Sequence, residues 1–244
     1  MAKIITIGGG EIYDRSTLLI DKEIVAFAKK KNPKLLFIPT ASNDSSRYVS
    51  AISKHFSNLG CTVSSLLLKN KKLSFEEIES EILQADIIYV GGGNTISMMK
   101  TWKKHGVDIC LKKALEKDIV LCGLSAGSIC WYTHGQSDSW KFKKNPEQFV
   151  KASGLGFIKA FHCPHYNMEK RKKDFSRITK NISEVLIAID DNCALQIDGN
   201  LYRVISGVKS AKAYKCFWKD KKLVQQEIVQ KSDYSCLEKL LDVV

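Results

Sequence analysis

The sequence predicts an α/β fold: a mainly parallel sheet flanked by helices, with strands added in the C-terminal part. Three observations carry that expectation. Short apolar runs of strand length alternate with stretches of helical periodicity. Three of the runs lead into glycine-bearing turns, at Gly8 to Gly10, Gly91 to Gly93 and Gly123 to Gly127. Ligands of open α/β sheets bind beyond the carboxyl ends of the strands, so these turns are expected on one edge. Finally, 244 residues that are 44% hydrophobic and 26% charged suffice for a substantial core. With no low-complexity linker and no internal repeat, one domain over residues 1–244 is the default.

Ile4 to Ile7 forms the first strand and ends at Gly8-Gly9-Gly10. A helical stretch around Leu18 to Lys31 precedes the strand Leu35 to Ile38, which runs into Pro39-Thr40-Ala41-Ser42. Tyr48 to Leu59 suits a helix closed by Gly60, because glycine adopts the left-handed backbone of a helix C-terminus without a Cβ clash. Thr62 to Leu68 suits a strand. Phe75 to Gln84 is an amphipathic helix with Ser74 as cap and Glu77 three residues on, a capping box. Asp86 to Val90 is a strand entering Gly91-Gly92-Gly93-Asn94-Thr95, and helices from Thr95 to about Lys104 and from Asp108 to Lys117 follow. Further on, Phe157 to Phe161, Val185 to Ile189, Ala194 to Ile197, Leu201 to Ile205, Ala211 to Phe217 and Val224 to Val229 read as added strands, some antiparallel. Asp198-Gly199-Asn200 is their hairpin turn. The last forty or so residues suggest a hairpin and a terminal helix, Tyr234 to Leu241, that either packs on the sheet edge or serves a homodimer.

Composition narrows the function classes. No apolar run approaches the roughly 18 residues of a membrane span, and the apolar start at Met1 is too short for a signal peptide, so no membrane partner and a cytoplasmic location are expected. Eight cysteines occur singly, with no C-x-x-C pair, and read as reduced, buried residues rather than disulfides or a metal site. The net charge of +12 comes mostly from lysines grouped at 29–31, 69–72, 141–144 and 219–222. Without an accompanying RNA-binding or helix-turn-helix signature, these groups describe a solvated surface rather than a nucleic-acid footprint. Such a surface attracts acidic substrates over long range. Gly8-Gly9-Gly10-Glu11-Ile12-Tyr13 lacks the last glycine of G-x-G-x-x-G, so no nucleotide cofactor is expected.

The chemistry centres on Ile119-Val120-Leu121-Cys122-Gly123-Leu124-Ser125-Ala126-Gly127, an apolar strand running into G-x-S-x-G. A serine on a sharp strand-to-helix turn projects its hydroxyl above the sheet, and small neighbours let backbone and substrate approach. A helix beginning at Ser128-Ile129-Cys130-Trp131 would add its positive N-terminal end. The turn at Gly91 to Gly93 offers backbone N–H groups suited to an oxyanion. A serine nucleophile needs a base, and the chain has five histidines. His55 and His105 fall on helical, surface-like segments, and His134 on the helix after the elbow would point away. His162 and His165 follow a strand, where a side chain can return to the sheet edge, and His165 is the candidate base.

Gly91-Gly92-Gly93-Asn94-Thr95, Gly123-Leu124-Ser125-Ala126-Gly127 and Pro164-His165-Tyr166, in this order, together with Pro39-Thr40-Ala41-Ser42, resemble the aspartyl dipeptidase (peptidase E) and cyanophycinase family of serine peptidases, peptidase S51, over roughly residues 1–205. The resemblance implies a flavodoxin-like fold similar to class I glutamine amidotransferases and a Ser-His-acid triad that hydrolyses small peptides through an acyl-enzyme, with no cofactor or metal. It assigns Ser125 as nucleophile and His165 as base. The family's glutamate in a Pro-Glu-Gly turn falls at Asp191, in Ala188-Ile189-Asp190-Asp191-Asn192, where proline and glycine are both missing and Asp190 is the alternative. The N–H groups of Gly92 and Ala126 correspond to the oxyanion hole, and Asn94, Asp138 and Arg171 to substrate contacts. Arg171 would receive an acidic side chain, although the loop between His165 and Arg171 is shorter than in the dipeptidases. A non-catalytic ligand-binding or regulatory protein on the same fold is the second reading, and a basic nucleic-acid binder the last.

Overall fold

The computed structural model describes residues 2–69, 72–142 and 148–243. The lysine groups at 69–72 and 141–144 lie partly outside the described residues. The first half contains β1 (Lys3–Ile7), α1 (Leu18–Phe27), β2 (Lys34–Ile38), α2 (Ser46–Asn58), β3 (Thr62–Ser65), α3 (Phe75–Leu83), β4 (Ile87–Val90), α4 (Thr95–His105), α5 (Val107–Leu115) and β5 (Val120–Leu124). After the elbow come α6 (Ala126–Ile129), β6 (Tyr132–Ser137), β7 (Val150–Ser153), β8 (Ile158–Cys163), α7 (Glu169–Thr179) and β9 (Leu186–Ile189). The chain finishes with β10 (Cys193–Asp198), β11 (Leu201–Ser206), β12 (Ala213–Lys219), β13 (Lys222–Glu227), β14 (Ser235–Cys236) and α8 (Leu237–Leu241).

These strands form two sheets, ordered β14-β11-β10-β1-β5-β4-β2-β3 and β13-β12-β9-β8-β6-β7. The expectation of a mainly parallel sheet holds only for β1, β5, β4, β2 and β3. On the other side of β1 the first sheet continues antiparallel, and in the second sheet only the β6–β8 and β8–β9 pairs are parallel, so both sheets are mixed. Connection length explains the difference. Parallel neighbours need a crossover of a dozen or more residues, whereas a tight turn forces antiparallel pairing. Asp198 pairs with Leu201 across a two-residue turn whose Gly199 has φ +60°, the left-handed first position of a type II′ hairpin.

The parallel strands are apolar because both their faces are covered. Successive residues alternate between two cores: Ile4, Leu36, Ile88 and Leu121 face one, and Ile5, Leu35, Ile87 and Val120 the other. Fully burying each such side chain contributes about 1.5–3 kcal/mol. At the helix ends, Ser74 and Glu77 make the expected reciprocal cap of α3. The C-terminal segment is reorganised relative to expectation: residues 235–236 pair with β11 at the sheet edge, and the terminal helix shrinks to α8 with Leu240 buried. All eight cysteines are free and seven are buried. Among the described residues no helix is long and apolar enough to cross a membrane.

Candidate active site

The turns at 8–10, 91–93 and 123–127 leave β1, β4 and β5, three parallel neighbours in the order β1-β5-β4, and therefore share one edge. At the central one Ser125 has φ 56° and ψ −112°, a conformation that costs a non-glycine residue about 1–3 kcal/mol. It is held there from both sides. The Ser125 N–H donates to the Ile7 carbonyl at 3.1 Å, and the Ser125 carbonyl accepts from the N–H groups of Ser128 and Ile129. The bend also demands glycine on either side. A Cβ on Gly123 would stand 2.2 Å from the Gly127 carbonyl oxygen, and one on Gly127 2.1 Å from that of Val90. The helix behind the elbow is a single turn, shorter than expected, so it supplies local N–H groups rather than an extended dipole.

The second sheet brings the other polar groups to this edge. The loop after β8 crosses to β1, where the His165 N–H donates to the Gly8 carbonyl at 3.1 Å, while the Tyr166 N–H donates to Ile189 at 3.0 Å. His165 itself takes φ 52°. Its Nε2 lies 2.8 Å from Ser125 Oγ and its Nδ1 2.5 Å from Asp191 Oδ1. An ionised carboxylate can only accept, so Nδ1 carries the proton and Nε2 is left to accept from the serine. Asn167 fixes Asp191 in turn: its Nδ2 donates to Oδ2 at 3.1 Å, and its Oδ1 accepts from the Asp191 N–H at 2.9 Å. Gly9 leaves room for this pair, since a Cβ there would stand 1.8 Å from Asp191 Oδ1 and 2.3 Å from His165 Nδ1.

Asp190 turns away. Its Oδ2 accepts from the Lys212 N–H at 3.0 Å, and burial raises its carboxyl above the usual carboxylate range. Burial would raise Asp191 too, but the hydrogen bond from His165, the His165 charge and the Asn167 amide outweigh it and hold that carboxyl low. Of the two aspartates considered, Asp191 faces the histidine.

Beneath the elbow lies a second histidine. His162 is fully buried in β8 and stacks on Tyr132 with ring centroids 4.4 Å apart. Its Nδ1 is 2.9 Å from the Ile187 carbonyl, and its Nε2 2.8 Å from a Ser128 hydroxyl that also reaches the Ser125 carbonyl at 2.8 Å. Burial pushes its pKa down to about 3, so it is neutral. The remaining histidines correct the expectation in part: His134 lies on strand β6 rather than on a helix, and His55 is largely buried, 2.9 Å from Asp21 Oδ2.

A cleft of about 270 Å³ opens beside Ser125 and His165. Gly92 lines it, close enough that a Cβ on Gly92 would lie 3.5 Å from the Ser125 Cβ. Tyr48 lines the cleft as well, and burial pushes its pKa up to about 12 against the opposing effect of the Gly92 backbone. Ala126, at the first helical position, has an N–H with no intrahelical acceptor. The three expected substrate contacts lie elsewhere. Asn94 caps α4, accepting from the Ser97 N–H at 2.9 Å and donating to the Ser139 carbonyl at 3.3 Å. Arg171, expected from the resemblance as a substrate contact, is only 2% exposed. Its Nη1 donates to the Gln136 carbonyl at 2.8 Å, its Nη2 lies 3.9 Å from Asp138, and its guanidinium covers the Phe149 ring. None of the three lines the cleft.

Sequence reasoning overlooked Gly9, Asn167, Tyr48 and Glu11. Asn167 sits two residues after the chosen histidine, and Glu11 follows the first glycine turn, so proximity to motifs already singled out was the available signal. Among the described residues no three His, Cys, Asp or Glu side chains are grouped to hold a metal ion.

Two solved structures share the fold. A peptidase from an acI-B1 actinobacterium superposes with a TM-score of 0.72 at 19% identity, covering 97% of both chains. A Listeria monocytogenes protein described as a peptidase E superposes with a TM-score of 0.63 at 20% identity, covering 84% of this chain and 98% of the other. In sequence, the chain is 36% identical over 221 residues to the uncharacterized peptidase YgaJ of Bacillus subtilis, across 88% of this chain and 92% of that one. An uncharacterized peptidase of Listeria innocua is 29% identical over 153 residues, 62% of this chain and 72% of its own. The sequence model of peptidase family S51 matches residues 4–205, a span that contains the elbow, the His165 loop and Asp191, and the chain belongs to that family.

Proposed function

We propose that this protein is a serine peptidase acting on small peptides, with Ser125, His165 and Asp191 as its triad. One observation carries the proposal: the Ser125 Oγ–His165 Nε2–Nδ1–Asp191 relay is in hydrogen-bond register, at 2.8 and 2.5 Å, with the histidine in the tautomer a general base requires. Oγ attacks the scissile carbonyl while Nε2 takes its proton, and the Oγ–C bond forms. The tetrahedral oxyanion is met by the N–H groups of Ala126 and Gly92. Nε2 then delivers the proton to the leaving amine as the C–N bond breaks, and water hydrolyses the acyl-enzyme by the same route in reverse order. Asp191, ionised throughout, stabilises the imidazolium formed in each half.

The small cleft supports peptides of a few residues rather than folded proteins, since 270 Å³ takes about one side chain. The position of Arg171, outside the cleft, gives no support to an acidic side chain as the recognised group. Labelling with a fluorophosphonate and hydrolysis of a dipeptide panel test the proposal. Wild type is expected to be labelled and to cleave, and Ser125→Ala to do neither. An unlabelled, inactive wild type would replace this reading with a ligand-binding one.

A further inference from the structure

The cleft beside Ser125 contradicts the charge of the molecule around it. The chain carries +12, yet among the described residues Glu11 is the one formally charged side chain lining that cleft other than the titratable His165. Tyrosines 13, 48 and 89 line it as well. A carboxylate among aromatic rings is the chemistry that binds cations: the carboxylate supplies the counter-charge and hydrogen bonds, and the ring faces attract positive charge.

Glu11 is also held in place. Its N–H donates to Ser16 Oγ at 2.9 Å, and its carbonyl accepts from the same hydroxyl at 3.3 Å. Ser16 is in turn latched by its N–H to Asp14 Oδ1 at 2.8 Å. The chain enters this loop through Gly10 at φ +131°, where a Cβ would stand 2.5 Å from Asn192 Oδ1, so the loop is fitted against the segment that carries Asp191. Arg47 lies over the ring of Tyr13, 5.2 Å from its centroid, so that wall of the cleft already carries a cation, whereas Arg15 lines the neighbouring pocket.

We infer that this cleft is a subsite for a positively charged group of the peptide substrate, either its α-ammonium or a lysine or arginine side chain, with Glu11 as the counter-charge and Tyr48 and Tyr89 as its walls. The inference rests on the serine peptidase reading for its place in catalysis, but its test needs no turnover. Alaninamide, N-acetyl-lysinamide and lysinamide are titrated calorimetrically into Ser125→Ala and into Ser125→Ala/Glu11→Gln, with the α-amide of N-acetyl-aspartate, whose β-carboxylate is free, as the acidic control. Saturable binding that the glutamine weakens about 10- to 100-fold is expected, the size of a lost hydrogen bond to a charged group. Binding of alaninamide alone identifies the α-ammonium, and binding of N-acetyl-lysinamide alone the side chain. No saturable binding, equal binding by the two variants, or a preference for the aspartate probe overturns the inference. Fluorophosphonate labelling of wild type reports separately on the serine, so failure of the subsite and failure of the nucleophile give different results.

Discussion

The two sides of the cleft are built by different means. The serine side is local: residues 123–127 carry the strand end, both glycines that permit the bend, the strained Ser125 and the Ala126 N–H. The histidine side is assembled from distant parts: Gly8 and Gly9 of the first strand's turn, the loop at 164–167 and the segment at 190–192 meet only after two sheets have formed. The conformation of Ser125 is held by bonds within its own turn, from Ser128 and Ile129, and by a single distant one to Ile7, whereas the orientation of His165 depends on hydrogen bonds between segments more than 150 residues apart, such as His165 N–H to Gly8. A site made this way is robust in one half and dependent on register in the other.

The largest expected effect strikes the serine side. Ser125→Ala should lower kcat by about 10⁶-fold, measured on any peptide that wild type cleaves. On the histidine side, Asp191→Asn should cost about 10⁴-fold, because an amide no longer enforces the correct imidazole tautomer. Asp190→Asn should leave kcat near that of wild type. A loss with Asp190→Asn equal to that of Asp191→Asn would mean that the two turn residues share the role.

Glycine substitutions separate the halves further. Gly9→Ala places a methyl against Asp191 and His165 and should reduce kcat about 10²-fold, the cost of misplacing reacting groups by about 1 Å, with little change in melting temperature. Gly127→Ala meets the Val90 backbone instead and should destabilise the fold by about 1–3 kcal/mol, read as a lower melting temperature. If both variants lose stability alike, the contrast between the halves fails.

The smallest effects concern pH, and the neighbouring aspartates should differ in sign. Asp191 is held low, so its ionisation adds stability that is present above the unfolded carboxylate value of about 3.9 and is lost as pH falls through its lower folded value. Asp190 is raised, so stability is lost as pH climbs from about 3.9 through the folded value. Urea unfolding across acidic to neutral pH should show Asp190→Asn gaining relative to wild type towards neutral pH and Asp191→Asn losing.

Much of the first sheet was legible because its strands are buried on both faces and read as uninterrupted apolar runs. Where burial is polar, the pattern disappears. Strand β6 buries Gln136 and Ser137, satisfied by the Arg171 carbonyl, the Cys163 thiol and Thr95 Oγ1, and the sequence does not announce it as a strand: His134 within it is expected on the helix after the elbow. Helix α7 is rich in charge and is not anticipated from the sequence, although Arg171, Phe175 and Thr179, four residues apart, form its buried stripe. The opposite error occurred after β3, where Leu66 and Leu68 are buried but no longer paired as a strand.

By itself the sequence determined the parallel core, the sharp turn at Ser125 and the capping of α3, since each follows from residue types within a short window, and it pointed to His165 as a side chain returning to the sheet edge. Only the tertiary structure decided which aspartate meets the histidine, that Arg171 is held away from the cleft and that Glu11 enters it. Adjacent residues in an extended segment point to opposite sides, so the register between segments far apart in sequence sets which one is presented. At residues 190–191 that register is set by Gly9 opposite Asp191 and by Lys212 opposite Asp190, contacts that no local window contains.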